Sequence, residues 1–126
     1  MHRVLYFVRV RQTLCATGLL AVSACAPPAC SESTERATRQ DVKLLVEDEG
    51  SLAEAARARL IGRGASAIAV LETGLYAANP PARLRVVRTL GEIGSAEARP
   101  ILDHLVARDP SPDVREAAKQ AISRLR

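Results

Sequence analysis

From Glu35 to the end of the chain, apolar residues return every three or four positions, and turn signals interrupt them about once a dozen residues. That spacing marks one face of an α-helix, and no stretch shows the clean alternation of a half-buried strand. The first helix is predicted over about Glu35–Glu49, with Thr34 as its N-cap and Val42, Leu45 and Val46 on one side. Gly50-Ser51 closes it. The second covers about Leu52–Arg63 and stops at Gly64, a residue type that readily takes the left-handed conformation of a helix end. The third runs over about Ser66–Ala78 and stops at Asn79-Pro80-Pro81. The fourth, about Ala82–Ile93, ends at Gly94. A fifth, about Glu97–Arg108, is broken by Asp109-Pro110-Ser111-Pro112. The last begins at Pro112, with Ser111 as N-cap and proline in the first helical position.

The distribution of apolar faces predicts where each helix sits. In the last helix Val114, Ala117, Ala118, Ala121, Ile122 and Leu125 form a single stripe, while Arg115, Glu116, Lys119, Gln120, Ser123 and Arg124 cover the rest. A helix with one apolar stripe belongs at the end of a stack. The fourth helix presents Val86, Val87, Leu90 and Ile93 on one side and Leu84 on another, as a helix between two neighbours requires. Pro100 lacks a backbone donor, so the fifth helix is expected to start late or bend in its first turn. Gly74, in mid-helix, costs about 1 kcal/mol against alanine unless a neighbouring helix needs the space.

The helices also repeat. Leu52–Gly64 (LAEAARARLIGRG) aligns with Ala82–Gly94 (ARLRVVRTLGEIG) at an offset of 30. Ala82–Ile93 aligns in turn with Val114–Leu125 (VREAAKQAISRL) at an offset of 32. Leu60, Leu90 and Ile122 then coincide, as do Gly64 and Gly94. A period near 30 built of two helices is the mark of a solenoid. Three stretches carry a family resemblance: Leu90-Gly91-Glu92-Ile93-Gly94, then Ala98-x-Pro100-Ile101-Leu102, then Asp109-Pro110-Ser111-Pro112-Asp113-Val114-Arg115. Together they resemble the short HEAT-like repeats first noted in phycobilisome lyases, over about Leu52–Arg126. The first repeat departs from that pattern by lacking the Asp-Pro turn, and the third has only its first helix. The resemblance implies an all-α fold: a short α-α solenoid, a right-handed superhelix of about two and a half helix pairs whose second helices line the concave side. It implies binding far more often than chemistry. Solenoids usually need three or more repeats. Either the Glu35–Glu49 helix caps the array, or a partner or a second copy covers exposed apolar surface.

Composition narrows the core. Aromatic residues make up 2% of the chain, and Tyr6, Phe7 and Tyr76 are all of them. The core must therefore be Ala, Leu, Val and Ile, which suits close-packed helices better than sheets. The net charge of +4 suggests nucleic acid only until it is divided. Residues 1–24 hold Arg3, Arg9 and Arg11 and no acid; without them, fifteen basic residues face fourteen acidic ones. A near-neutral domain lacks the concentrated positive face that phosphate binding needs. No nucleic-acid partner is expected.

The leader carries its own signal. Met1–Gln12 holds the three arginines, and Thr13–Ala24 (TLCATGLLAVSA) is a charge-free stretch of 12 residues. Twelve is too short to cross a bilayer core, which takes roughly 20 apolar residues, and it fits the apolar region of an export signal. Val22-Ser23-Ala24-Cys25 resembles a bacterial lipobox. That resemblance implies a signal peptide over 1–24, cleavage before Cys25, and acylation of Cys25. Two other readings stand beside it: an ordinary cleavage site at Ala24-Cys25-Ala26, which Pro27 disfavours, and an uncleaved anchor, which Arg9 and Arg11 interrupt. Residues 25–34 are rich in Pro, Ser and small side chains and read as a lipid-anchored flexible tether to the domain at 35–126. Cys15 leaves with the leader and Cys25 takes lipid, so Cys30 stays alone; a Cys25–Cys30 disulfide is the competing arrangement. Neither cysteine has partners at metal-ligand spacing.

Candidate chemistry is sparse. Asp103 and His104 are adjacent, but neighbours on a helix diverge by about 100° and form no dyad. No Ser, Cys or Lys is spaced to complete a nucleophile–base pair. Asp113 suits a helix N-terminus, and Arg115 is expected to pair with a turn acid. The glycines of Gly62-Arg63-Gly64 and Gly91-Glu92-Ile93-Gly94 are helix ends, not phosphate cradles. No cofactor or metal is implied. Projection at 100° per residue puts Glu72, Thr73 and Tyr76 opposite the Ile68/Leu71/Leu75 stripe, and Asp103, His104 and Arg108 opposite Ala98/Leu102/Leu105. Those six residues are the candidate interaction surface. The whole reads as a periplasm-facing lipoprotein of the bacterial envelope, of the outer membrane, with a non-catalytic domain that binds an unidentified protein. A lyase or lyase-accessory subunit is the alternative.

Overall fold

The computed structural model describes residues 28–77 and 79–126. The expected signal segment 1–24, the expected acylation site Cys25 and the start of the expected tether lie outside the described residues. Among the described residues six α-helices and two 3-10 turns follow in order: α1 (Pro28–Glu47), α2 (Ser51–Arg63), a turn at Gly64–Ala67, α3 (Ile68–Gly74), α4 (Pro80–Ile93), a turn at Ala96–Ala98, α5 (Arg99–Arg108) and α6 (Pro112–Ile122). The described residues contain no strand, and the fold is the all-α solenoid that the periodicity predicts.

Helix boundaries follow local chemistry. Asn79 caps α4 by accepting the Ala82 amide at 2.8 Å, and Pro80 and Pro81 fill positions where no donor is needed. Gly94 ends α4 at φ 68°, ψ 15°, returning its amide to the Leu90 carbonyl. Pro100 delays α5 as expected, and a 3-10 turn absorbs the first residues of that segment. Three boundaries differ from the pattern. α1 begins at Pro28, so seven residues assigned to the tether are helical and Thr34 is no cap; its carbonyl accepts the Thr38 hydroxyl at 2.8 Å. Nothing in that segment breaks a helix after Pro28, and an Arg39–Glu35 pair at i,i+4 supports it. α3 ends at Gly74, well short of the predicted end, and its predicted first turn is 3-10. At Ser111 the side chain makes no cap bond; Asp109 Oδ1 accepts the Ser111 amide at 2.8 Å and closes the turn instead.

One core runs the length of the array. Leu45, Leu60, Leu71, Leu90 and Leu102 are fully buried with Val86, Val87 and Val114. Each such side chain is worth about 1.5–3 kcal/mol by burial. The first helices of successive repeats stack on one another (α2 on α4, α4 on α6), and α5 packs on α6. α1 lies across α2, α3 and α4, covering with Val42 and Leu45 the apolar flank a small solenoid would otherwise expose. The capping helix expected as one way to complete so short an array is present. Gly74 is required at this crossing. A Cβ there would lie 3.1 Å from methyls of Val42 and Val86 and 3.2 Å from one of Val46.

Arginines stitch the layers together. Arg85 of α4 donates from Nε to the Leu45 carbonyl (2.8 Å) and from Nη2 to the Val46 carbonyl (2.9 Å), satisfying acceptors that the end of α1 leaves without a helical partner. Arg57 of α2 pairs with Glu92 of α4 and with Glu54, and its guanidinium is raised above its ordinary value, first by the hydrogen bond to Glu92. Asp41 of α1 is buried between Arg59 and Arg63 of α2, with Arg59 Nη2 at 2.7 Å. Burial alone would raise its carboxyl, but the two arginines more than offset that and hold it below the usual value. No described helix is long and apolar enough to cross a membrane.

Candidate functional site

The second helices α3 and α5 are short and separated, and a groove of about 1040 Å³ opens between them. Its apolar lining comes from Ile68, Ala69 and Leu75 on one side and Pro100, Ile101 and Leu105 on the other. Ile68 and Leu105 are also core residues, so the groove floor is continuous with the packed interior.

A buried ion pair closes the base of the groove. Arg83 Nε donates to Asp109 Oδ2 at 2.9 Å and Nη2 to Oδ1 at 3.1 Å, while Nη1 donates to the Ala77 carbonyl at 3.0 Å. The side chains of Arg83 and Asp109 are only 10% and 3% exposed. One guanidinium thus clamps the loop after α3 to the loop after α5. Asp109 also accepts the Ser111 amide, so a single carboxylate shapes the turn into α6 and fixes the groove end. Arg115 does not meet an acid, contrary to expectation. Its Nη1 donates to the carbonyls of Asp109 (2.7 Å) and Pro110 (3.3 Å), because Asp109's carboxylate is already engaged by Arg83. Asp113 stands in the first turn of α6, where its charge favours the helix.

The six candidate surface residues are all exposed, but they do not form one patch. Glu72, Tyr76, His104 and Arg108 line the groove. Tyr76, 84% exposed, is one of two large apolar side chains left in solvent among the described residues. Thr73 faces the other flank of α3, in a hollow of about 350 Å³ shared with α1, and its hydroxyl donates to the Val70 carbonyl. Asp103 stands off the groove, 3.7 Å from Arg99 on the outer side of α5. His104 lines the groove and Asp103 does not. Among the described residues no three His, Cys, Asp or Glu side chains gather as a metal site.

Sequence reasoning missed Arg83, Asp109 and Glu97 as parts of this groove. A signal for Arg83 existed: the offset of 32 lays it on Arg115, and each donates to the carbonyl six residues earlier. Glu97 had none, since its position depends on the 3-10 turn before α5.

A family profile described as HEAT repeats matches residues 42–123, from the middle of α1 to the end of α6. No curated protein and no solved structure matches the chain.

Proposed function

Because this chain belongs to the HEAT-repeat family, whose repeats serve as protein-interaction and scaffolding modules, we propose that it is an envelope lipoprotein that holds a partner protein in the groove between α3 and α5. The groove itself carries this reading. It joins an apolar floor to an exposed tyrosine and an arginine, the side chains that anchor protein interfaces most often. Envelope location and a lipid anchor are supported by the leader: an arginine-bearing start, a short apolar stretch, and Val22-Ser23-Ala24-Cys25. Several acyl chains on Cys25 would hold the domain at the periplasmic surface of a membrane, since one alone binds marginally. The domain acts by binding and not by catalysis.

A photoreactive residue at Tyr76 or His104 tests the groove, with one at Arg88 on the exposed side of α4 as control. Discrete adducts from the first two and none from the third support the docking surface. Equal labelling at all three sites, or none at any, removes it. Metabolic labelling with a clickable palmitate analogue tests the anchor separately: wild type takes label and Cys25→Ala does not.

A further inference from the structure

Resting on the groove as the docking surface, we propose that its occupant is a short protein segment with apolar side chains at its centre and charges of opposite sign at its two ends. Arg83 gives the groove a direction. It binds both the Ala77 carbonyl after α3 and the Asp109 carboxylate after α5, so the two helices finish at the same end. Tyr76 and Arg108 flank that end, and Glu97, in the turn before α5, lines the opposite one. Ile101, His104 and Arg108 follow at spacings of three and four residues on one face of α5, and Glu97, from the 3-10 turn before it, lines the same groove. The wall of α5 with that turn therefore reads acid, apolar, imidazole, base along its length. Glu72 adds a second acid on the α3 wall.

These charges are free to recruit a ligand. Among the described residues, none of Glu72, Glu97 and Arg108 has an ion-pair partner, whereas Arg99 on the outer face of α5 has Asp103. From Glu97 to Arg108 the wall spans roughly 16 Å at about 1.5 Å per residue. An extended segment covers that with about five residues at roughly 3.3 Å each. An acyl chain would suit the floor but is polar at one end only, leaving Arg108 or Glu97 unmatched. A chain of phosphates would run its charge against Glu72 and Glu97. A peptide with an acidic residue at the Arg108 end and a basic one toward Glu97 matches both.

The test uses the domain at low salt and three end-blocked fluorescent heptapeptides: Asp-Ala-Leu-Ala-Leu-Ala-Lys, and the same core with Asp at both ends or Lys at both ends. Anisotropy is expected to show the mixed peptide binding about fivefold tighter than either uniform one, the scale of matched rim charges. Arg108→Glu, an exposed substitution, should shift the preference to the Lys-ended peptide, with helical circular dichroism unchanged. Equal binding of all three, a preference that ignores Arg108→Glu, or competition by a fatty acid as strong as by the mixed peptide overturns the proposal. Tyr76 crosslinks to a protein that persist under any of those results would leave the docking surface standing and retire only its polarity. Loss of both peptide binding and crosslinks would remove the two together.

Discussion

α4 and α6 hold the same place in successive repeats, yet only one of them has a neighbour on each side. On the side turned to the preceding helix they agree: Ala82, Val86 and Thr89 of α4 correspond to Val114, Ala118 and Ala121 of α6, and all six are buried. On the other side they part. Val87 is fully buried in α4 and Gly91 lets Ala121 of α6 come close, while their counterparts Lys119 and Ser123 stand in solvent. The arginines show the same division. Arg83 and Arg115 each hold the carbonyl six residues before them, but Arg83 also grips a carboxylate from the repeat that follows. One helical pattern serves both positions, and a few side chains on a single face decide whether the array continues.

The buried fork offers the largest way to break this equivalence. Asp109→Ala leaves Arg83 charged and 10% exposed with no counter-ion, a loss of about 3–5 kcal/mol. Against a total stability of about 5–15 kcal/mol, that brings a domain this small close to unfolding. Arg115→Met removes only half-buried hydrogen bonds to carbonyls and is expected to cost about 1 kcal/mol. Urea unfolding of the two variants measures the gap. Equal losses would mean that the following repeat adds nothing to its arginine.

Gly91 is the next largest. A Cβ there would lie 2.9 Å from the Ala121 Cβ and 3.1 Å from its Cα, so α4 and α6 must separate to admit it. Overpacking of this kind costs about 1–3 kcal/mol, less the helix propensity gained, up to about 1 kcal/mol. Gly91→Ala should lower the unfolding midpoint, and adding Ala121→Gly should restore part of it. Ser123→Ala, at the equivalent place just past the end of α6, should change stability by less than about 0.5 kcal/mol.

Much of this is legible in the sequence. The stripes of α6 and the two-sided face of α4 appear in the order of Val, Leu and Ala along the chain, because a helix that must bury two sides needs apolar residues on both. The delayed start of α5 followed from Pro100, and the close approach at Gly74 from a glycine that helix propensity alone disfavours. The early start of α1 at Pro28 was not legible, since Ser, Glu, Thr and Arg fit a solvated helix as well as a tether. Neither was the short α3: the intrinsic preferences of Ala65–Ala67 fit an α-helical turn, and the segment winds as 3-10. The pattern exposed the six surface residues but could not say that Thr73 and Asp103 turn away from the groove. The Arg83–Asp109 pair spans 26 residues, and which neighbour an arginine reaches is decided only when the loops meet.

The front of the array extends the comparison to a junction that pH can address. Asp41 ties α1 to Arg59 and Arg63 of α2, and its carboxyl is held below the ordinary value in the folded state. The stability it adds is therefore complete above the unfolded value of about 3.9 and is lost as pH falls through the lower folded value. Asp41→Asn should destabilise at neutral pH and flatten the decline of unfolding free energy below about pH 4. A decline as steep as wild type would show that the front junction does not rest on this charge.

The smallest effect on folding, and the sharpest on what an end means, comes from giving α6 the outer face of α4. Glu116→Leu with Lys119→Val copies Leu84 and Val87 onto positions exposed in the structure. Exposed substitutions away from any buried network change stability by about 0.5 kcal/mol or less, so the unfolding midpoint should hardly move. The new patch, however, lies where a further repeat would stack, and the domain should begin to self-associate with rising concentration, read as a growing sedimentation coefficient. A monomer at every concentration would mean that polar side chains are not what closes the array, and that the geometry of the α6 end excludes a neighbour whatever its surface.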